Sequence, residues 1–214
     1  MKAIYFDIGG TYVRVEVIKN GRSLFYKKIR TPKKLAVFIL YIKNTVSALI
    51  KKYNCQQINF GVPGVIEGTR VMSCANIKYL HNFDLRKVVP TKNKITVDND
   101  ARLWLKRVIS RNTKLNSGTV LGLIIGTGVG RAVAVNGRVR TIRRFEYAEK
   151  WERAYQRSRF RNSAYLTGFL LKKLTPLITK YQPEIIVFGG GVIKRKKDLG
   201  RQLKKAFTCS ILVS

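Results

Sequence analysis

Residues able to do chemistry gather at four places in the 214-residue chain. The first is Asp7-Ile8-Gly9-Gly10-Thr11, an acid-and-glycine turn between two apolar runs. Gly9 and Gly10 can adopt positive φ and let backbone N–H groups approach an anion, Thr11 offers a hydroxyl, and Asp7 at a strand end can hold a hydrated Mg2+. The second is Asp98-Asn99-Asp100, two carboxylates and an amide directly after the strand-like run 94–97. In open α/β sheets ligands bind at the carboxyl ends of strands, although Asp98 or Asn99 serves equally well as a plain helix cap. The third is Gly126-Thr127-Gly128-Val129-Gly130 and the fourth Gly189-Gly190-Gly191, each closing a buried run. Taken singly, each is a common turn.

Other chemistries have little to work with. His81 is the only histidine and no nucleophile stands near it, so acid–base work falls to carboxylates. Cys55, Cys74 and Cys209 are odd in number, far apart and without a C-x-x-C pair, which indicates neither a disulfide framework nor a zinc site. The charge is abnormal: 43 basic residues against 11 acidic ones leave +32. A basic solvated surface explains this, and so does a polyanionic partner such as RNA, DNA, an anionic membrane or polyphosphate; composition does not choose. No leader pattern opens the chain and the longest apolar run, 35–42, is too short to span a bilayer, so the reading is cytoplasmic with no membrane partner.

These groups need elements to position them. The first turn joins strands at 3–6 and 12–18, with a third strand at 23–29. Thr31 and Pro32 read as the N-cap and first turn of a helix carrying apolar residues at 35, 38, 39, 42, 46, 49 and 50. A buried strand at 57–61 runs into Gly61-Val62-Pro63-Gly64. Residues 65–93 show no sustained period and read as a long excursion. Strand 94–97 leads into a helix through Ile109. The polar stretch 111–117 reads as a boundary, giving domains 1–112 and 113–214. Strands at 120–125 and 131–136 then flank the second glycine turn, so strand, Gly/Thr turn, strand occurs twice. After Gly137 come a polar helical stretch at 143–161, an amphipathic helix at 163–181 kinked by Pro176, a strand at 184–188, a basic helix at 196–207 and a last strand at 209–213.

Six short motifs stand in one order: Asp-Ile-Gly-Gly-Thr at 7–11, Gly-Val-Pro-Gly at 61–64, Ala75-Asn76, Asp98-Asn99-Asp100-Ala101, Gly-Thr-Gly-Val-Gly at 126–130 and Gly-Gly-Gly at 189–191. In this order the chain resembles the ROK sugar kinases, glucokinase-like members of the hexokinase–actin–heat-shock ATPase superfold. The resemblance implies an α/β fold of two ribonuclease-H-like (actin-like ATPase) domains flanking a cleft, the second reduced. It implies ATP and Mg2+ as cofactors. Asp7 would face the metal, and Asp7, Gly9, Gly10 and Thr11 the transferred phosphate. Gly126, Thr127 and Gly128 would form the second phosphate loop, with Gly189, Gly190 and Gly191 near the adenosine. Asn76, Asn99 and Asp100 would hold sugar hydroxyls, and Asp100 would be the general base, which suits a reaction governed by positioning and charge neutralisation.

Departures from the family pattern are as informative. Where relatives carry Gly-Glu-x-Gly-His, a Cys/His zinc cluster and a Leu-Glu pair, this chain has Phe145-Glu146-Tyr147-Ala148-Glu149 and Trp151-Glu152. The resemblance therefore implies no zinc. Glu146 matches the sugar-binding glutamate, Glu149 replaces the histidine and Glu152 matches the later glutamate; surface pairing with Arg143, Lys150 or Arg153 is the equal alternative. Arg131 follows Gly130 where another glycine is usual, which crowds the phosphate loop or lends it a cation. The chain is short for the family, lacks a closing helix after Ser214, and starts its first strand directly after Met1, which disfavours a repressor with a preceding helix-turn-helix. The expected function is phosphorylation of a hexose or N-acylhexosamine by ATP, the partners being a small-molecule sugar and a nucleotide, with a homodimer as one assembly the family admits. The alternatives are polyphosphate as donor, or a degenerate scaffold binding RNA or another polyanion through basic stretches at 138–144, 153–161 and 194–205, with Phe145, Trp151, Tyr155 and Phe160 available to stack.

Overall fold

Alternation builds the first sheet. In Lys2–Ile8 (β1) and Tyr12–Lys19 (β2) the buried side chains Ile4, Phe6, Ile8, Val13, Val15 and Val17 fall on every second residue, the period at which side chains share a face. The structure, a computed structural model, describes residues 2–142, 150–207 and 210–213, the last four by their backbone alone. It divides into two compact units, Met1–Leu103 and Trp104–Ser214, and the division falls inside a helix rather than in the polar stretch 111–117.

In the first unit β2 pairs antiparallel with β1 and with the edge strand Arg22–Arg30 (β3). A helix, Leu35–Tyr53 (α1), follows, burying Phe38, Ile42, Val46 and Leu49 at helical spacing and ending where Asn54 adopts a left-handed conformation with φ 53°. Strand Gln57–Val62 (β4) then lies parallel to β1, where Phe6 stacks on Phe60 with ring centroids 5.0 Å apart. Residues 65–93 are not the unstructured excursion that the missing period predicts. They hold a small antiparallel sheet, Val65–Glu67 (β5), Arg70–Ser73 (β6) and Phe83–Asp84 (β7), with two single 3-10 turns. Strands of two to four residues are too short to display a period. Lys94–Asn99 (β8) completes the main sheet, parallel to β4, in the order β3-β2-β1-β4-β8, and Asp100–Ile109 (α2) follows without a break.

The second unit repeats the arrangement. Thr119–Ile125 (β9), Val129–Val135 (β10) and Arg138–Arg140 (β11) form an antiparallel meander. The last of these was not expected from sequence, because three residues between Gly137 and a polar run carry no pattern. Ile185–Gly189 (β12) and Ser210–Val213 (β13) add in parallel, giving the order β11-β10-β9-β12-β13. Lys150–Ser158 (α3) and Ser163–Tyr181 (α4) precede β12, Asn162 capping α4 by accepting the Tyr165 N–H at 2.9 Å. The helix α4 runs through Pro176 as one element. Gly191–Arg195 (α5) and Lys197–Ala206 (α6) lie between β12 and β13. No helix among the described residues is long and apolar enough to cross a membrane.

Ile42 is fully buried beneath the first sheet, whereas Val37 on the same helix is exposed. Ile42→Ala should cost about 2–5 kcal/mol in urea unfolding, and Val37→Ala should stay within about 0.5 kcal/mol.

Candidate active site

Backbone geometry shapes the first glycine turn. The Gly9 N–H donates to the Tyr12 carbonyl at 2.9 Å, the Thr31 N–H donates to the Thr11 carbonyl at 3.1 Å, and the Thr31 hydroxyl donates to the Gly9 carbonyl at 2.5 Å. Thr31 is therefore not the N-cap that its place before Pro32 suggests. The helix starts at Leu35 with Lys34 in the cap position and no side-chain cap bond, and the Thr31 hydroxyl is engaged by the turn. Asp7 is gripped by Arg14, Nη1 to Oδ2 at 2.7 Å, both side chains half-exposed. That pair follows from the hairpin register, which sets Asp7 opposite Arg14. Arg14 was not singled out from the sequence, although a tight turn centred on 9–11 dictates the pairing.

Three strand ends meet at one level. Asp7 lies opposite Gly61, and Gly61 opposite Asp98, across the parallel strands β1, β4 and β8. The buried Asp98 carboxylate accepts the Asn99 N–H at 2.8 Å and the Arg102 Nε–H at 2.5 Å. Its position one turn before an arginine was a legible i, i+4 signal. Asn99 has two tasks: its Oδ1 accepts the Ala101 N–H at 3.0 Å, capping α2, while its Nδ2 donates to the Gly64 carbonyl at 3.2 Å. Asp100 is half-buried at the first position of α2, where the helix dipole favours a carboxylate, and accepts the Ala101 N–H at 2.9 Å. A Cβ on Gly61 would stand 3.3 Å from the Asp100 Cα.

The segment 73–76 closes on this group. Gly64, at φ 136°, presses against the Ser73 carbonyl where no Cβ fits, and a Cβ on Gly10 would stand 3.1 Å from the Asn76 Cβ. Asp7, Gly9, Gly10, Thr11, Asn76, Asn99 and Asp100 are thus gathered at one end of the first sheet. Beside them opens a pocket of about 410 Å3, lined among others by Gly10, Thr31, Lys33, Asn76 and Lys78. Burial pushes the Cys74 thiol up to about 11, the Asp100 charge adding to the shift, and burial takes the Tyr79 phenol up to about 12. Among the described residues no group of three or more His, Cys, Asp or Glu is placed to hold a metal. Asp7 fits a different kind of site, since Mg2+ is commonly held by one or two carboxylates together with water and substrate phosphates.

The second unit assembles the other glycines. Gly126, Thr127 and Gly128 bridge β9 and β10, with the Gly126 N–H donating to the Gly128 carbonyl at 2.9 Å. Gly189 pairs in register with Ile124, and Gly190, at φ 101°, would place a Cβ 2.5 Å from the Ile125 carbonyl oxygen. Gly189, Gly190 and Gly191 therefore lie against the strand that leads into the Gly126 turn. Glu152 is buried, and its Oε1 accepts from Arg131 Nη2 at 2.6 Å. Its carboxylate lies beside Gly128, a contact that sequence spacing did not foresee. Glu146 and Glu149 lie outside the described residues. Of the aromatics expected to stack on bases, Tyr155 is fully buried and donates its hydroxyl to the Gly126 carbonyl at 2.9 Å, Trp151 packs on Phe169, Phe160 is exposed, and Phe145 lies outside the described residues.

Known proteins resemble this chain in sequence and in fold. Residues 3–144 match the model of the ROK family, and the chain belongs to that family. It is 30% identical over 141 residues to the N-acetyl-D-glucosamine kinase of Escherichia coli O6:H1, a match covering 62% of this chain and 46% of that one. The chain spans about half the length of the curated relatives it matches. Among solved structures it is similar to the inorganic polyphosphate/ATP-glucomannokinase of Arthrobacter sp. strain KM, with a TM-score of 0.84, 22% identity and coverage of 99% of this chain and 91% of that chain. It is also similar to a ROK family glucokinase from Streptomyces griseus solved with glucose and AMPPNP, with a TM-score of 0.75, 18% identity and coverage of 100% and 94%. The fold is accordingly that of the two-unit ribonuclease-H-like, actin-like ATPase class.

The raised Cys74 thiol gives a direct check on the packing of segment 73–76. At pH 8 native protein should leave Cys74 unalkylated by iodoacetamide over a time that labels it fully in urea, and labelling should accelerate as the pH approaches 11. Peptide mapping by mass spectrometry reads both.

Proposed function

We propose that the chain is an ATP-dependent sugar kinase that transfers the terminal phosphoryl group of ATP to a hydroxyl of a hexose or N-acylated hexosamine. The observation that carries this reading is the position of Asp100. It is a carboxylate at the head of α2 and the end of β8, close to Gly61 and next to Asn99, at the same end of the sheet as the Asp7–Thr11 turn. Membership of the ROK family supports it, and so does the similarity to a curated N-acetylglucosamine kinase.

In this reading Asn76, Asn99 and Asp100 hold the acceptor sugar by its hydroxyls. Asp100 takes the proton of the attacking hydroxyl as its oxygen bonds to the terminal phosphorus and the bond to the ADP oxygen breaks. Gly9 closes the turn, and Gly10 and Thr11 present backbone N–H groups and the Thr11 hydroxyl to the moving phosphoryl group. The Gly126–Gly128 turn receives the remaining phosphates, and Gly189–Gly191 lets the adenosine approach the backbone. Asp7 would anchor Mg2+, which neutralises phosphate charge when bound. Arg14, paired with Asp7, fixes one oxygen of that carboxylate.

The test is sugar-dependent release of ADP in a coupled assay with Mg2+ and a panel of hexoses and N-acylhexosamines. Asp100→Asn should lower the rate about 10²–10⁴-fold with an unchanged melting temperature. ATP turnover indifferent to sugar, or full activity in the variant, would sink the proposal.

A further inference from the structure

Two exposed rings stand five residues apart where α3 turns into α4. Phe160 is 75% exposed, more than any other large apolar side chain among the described residues, and Tyr165 is 47% exposed. Each ring carries a guanidinium. Arg159 lies over Phe160 with its Cζ 4.8 Å from the ring centre, and Arg161 lies over Tyr165 at 5.7 Å. Packing beneath holds the corner in place: Tyr165 stacks on Phe169 with centroids 6.3 Å apart, Trp151 meets Phe169 edge-on at 6.1 Å, and Asn162 caps α4.

The surroundings carry one sign of charge. Residues 153–183 contain four arginines and three lysines but no aspartate or glutamate. Arg153, Arg157 and Arg161 are exposed. Glu152, the one acid of α3, is buried against Arg131. The neighbouring α6, joined to α4 where the Thr167 hydroxyl donates to Gln202 at 3.0 Å, adds a single acid, Asp198, which is paired with Arg201.

This chemistry selects among occupants. A second copy of the chain docked symmetrically on the corner would set arginine against arginine, which is repulsive. An anionic bilayer takes up a broad apolar face, whereas Phe160 protrudes between two arginines. A ring with a guanidinium on one face and water around the rest suits a planar base joined to an anionic backbone. In a duplex the base faces are stacked away, and in a single strand they are free.

We propose that the α3–α4 corner binds single-stranded nucleic acid, a base stacking on Phe160 while Arg153, Arg157 and Arg161 meet the phosphates. Such binding is independent of the phosphoryl transfer proposed above.

The probe is a fluorescein-labelled oligouridine of about 12 nucleotides, long enough to span one such site, titrated with the full chain and followed by fluorescence anisotropy. Phe160→Ala should weaken binding about fivefold or more by removing one stacked base, and Phe160→Trp should hold it within about twofold. Because Phe160 is exposed, Phe160→Ala should keep the melting temperature of the unaltered chain. Arg161→Gln should weaken binding and lower the salt slope by about one, whereas Lys51→Gln, which removes the same charge from the exposed end of α1, should leave affinity within about twofold. The corresponding deoxy strand distinguishes RNA from DNA: Phe160-dependent binding of either supports the site, and the tighter of the two names its ligand. The oligouridine paired with its complement should be indifferent to Phe160→Ala. Oligouridine held equally well by Phe160→Ala and the unaltered chain overturns the proposal, and equal losses from Arg161→Gln and Lys51→Gln overturn it in favour of diffuse charge. Without Phe160-dependent strand binding, Phe160-dependent capture on phosphatidylserine vesicles overturns it in favour of a membrane, and a fall in particle mass by light scattering in Phe160→Ala overturns it in favour of a second copy.

Discussion

The close approach of a helix to a strand at Gly61 is the constraint on which the first half-site depends. Strand β4 runs beneath the start of α2, and a Cβ at Gly61 would stand 3.1 Å from Leu103 Cδ2 and 3.3 Å from the Asp100 Cα. Only glycine lets the helix settle at that distance without a shift in its neighbours. The consequence is geometric: Asp100 is held by the backbone of the sheet, not by a loop. Because Gly61 lies level with both Asp7 and Asp98 across parallel strands, one register fixes three strand ends at once. In the second unit, Gly189 admits the Trp104 ring, whose Cζ2 stands 2.5 Å from where a Cβ would be, and Gly122 admits the same ring at 3.0 Å. Glycine in these strands therefore marks helix-on-sheet contact as well as turns.

Scarcity gives the acids of this chain their meaning. With 11 carboxylate residues against 43 cations, a carboxylate readily finds an arginine, and Asp7, Asp98, Glu152 and Asp198 are each paired with one. The pairs are not equivalent. Asp198 and Arg201 are exposed, so their contact adds little to stability. Asp98 with Arg102 and Glu152 with Arg131 are largely removed from water, where a lost partner costs more than at the surface. Each of these two pairs lies next to a glycine-lined turn or strand end.

The parts of the site legible in sequence were those carried by local pattern. Asp7–Thr11 between alternating strands, Asp98–Asp100 after a strand-like run and the two later glycine clusters all announce themselves, because turn chemistry and strand alternation are short-range properties. The parts that were not legible depend on partners distant in the chain. Thr31 reads as a helix cap until the fold brings it back to Gly9, 22 residues earlier. Tyr155 reads as an aromatic available to stack in a basic stretch until its hydroxyl meets Gly126, 29 residues earlier. Residues 65–93 defeat periodicity because their strands are two to four residues long, yet Gly64 and Ser73 within and beside them shape the approach to Asn76.

Two glycine turns built alike need not be held alike. Both follow a strand, both are closed by a backbone bond from the first glycine's N–H, and in both a side-chain hydroxyl engages that glycine's carbonyl. The first hydroxyl comes from Thr31, just beyond β3, so that turn's support is intrinsic to the meander. The second comes from α3, whose own place depends on Tyr155 and on Trp151 against Phe169. A hydrogen bond to a helix shares the helix's stability, so anything that loosens α3 releases the Gly126 carbonyl and the Glu152 carboxylate together. The first turn has no such dependence. The two turns are thus held independently, the first by its own meander and the second by the packing of α3.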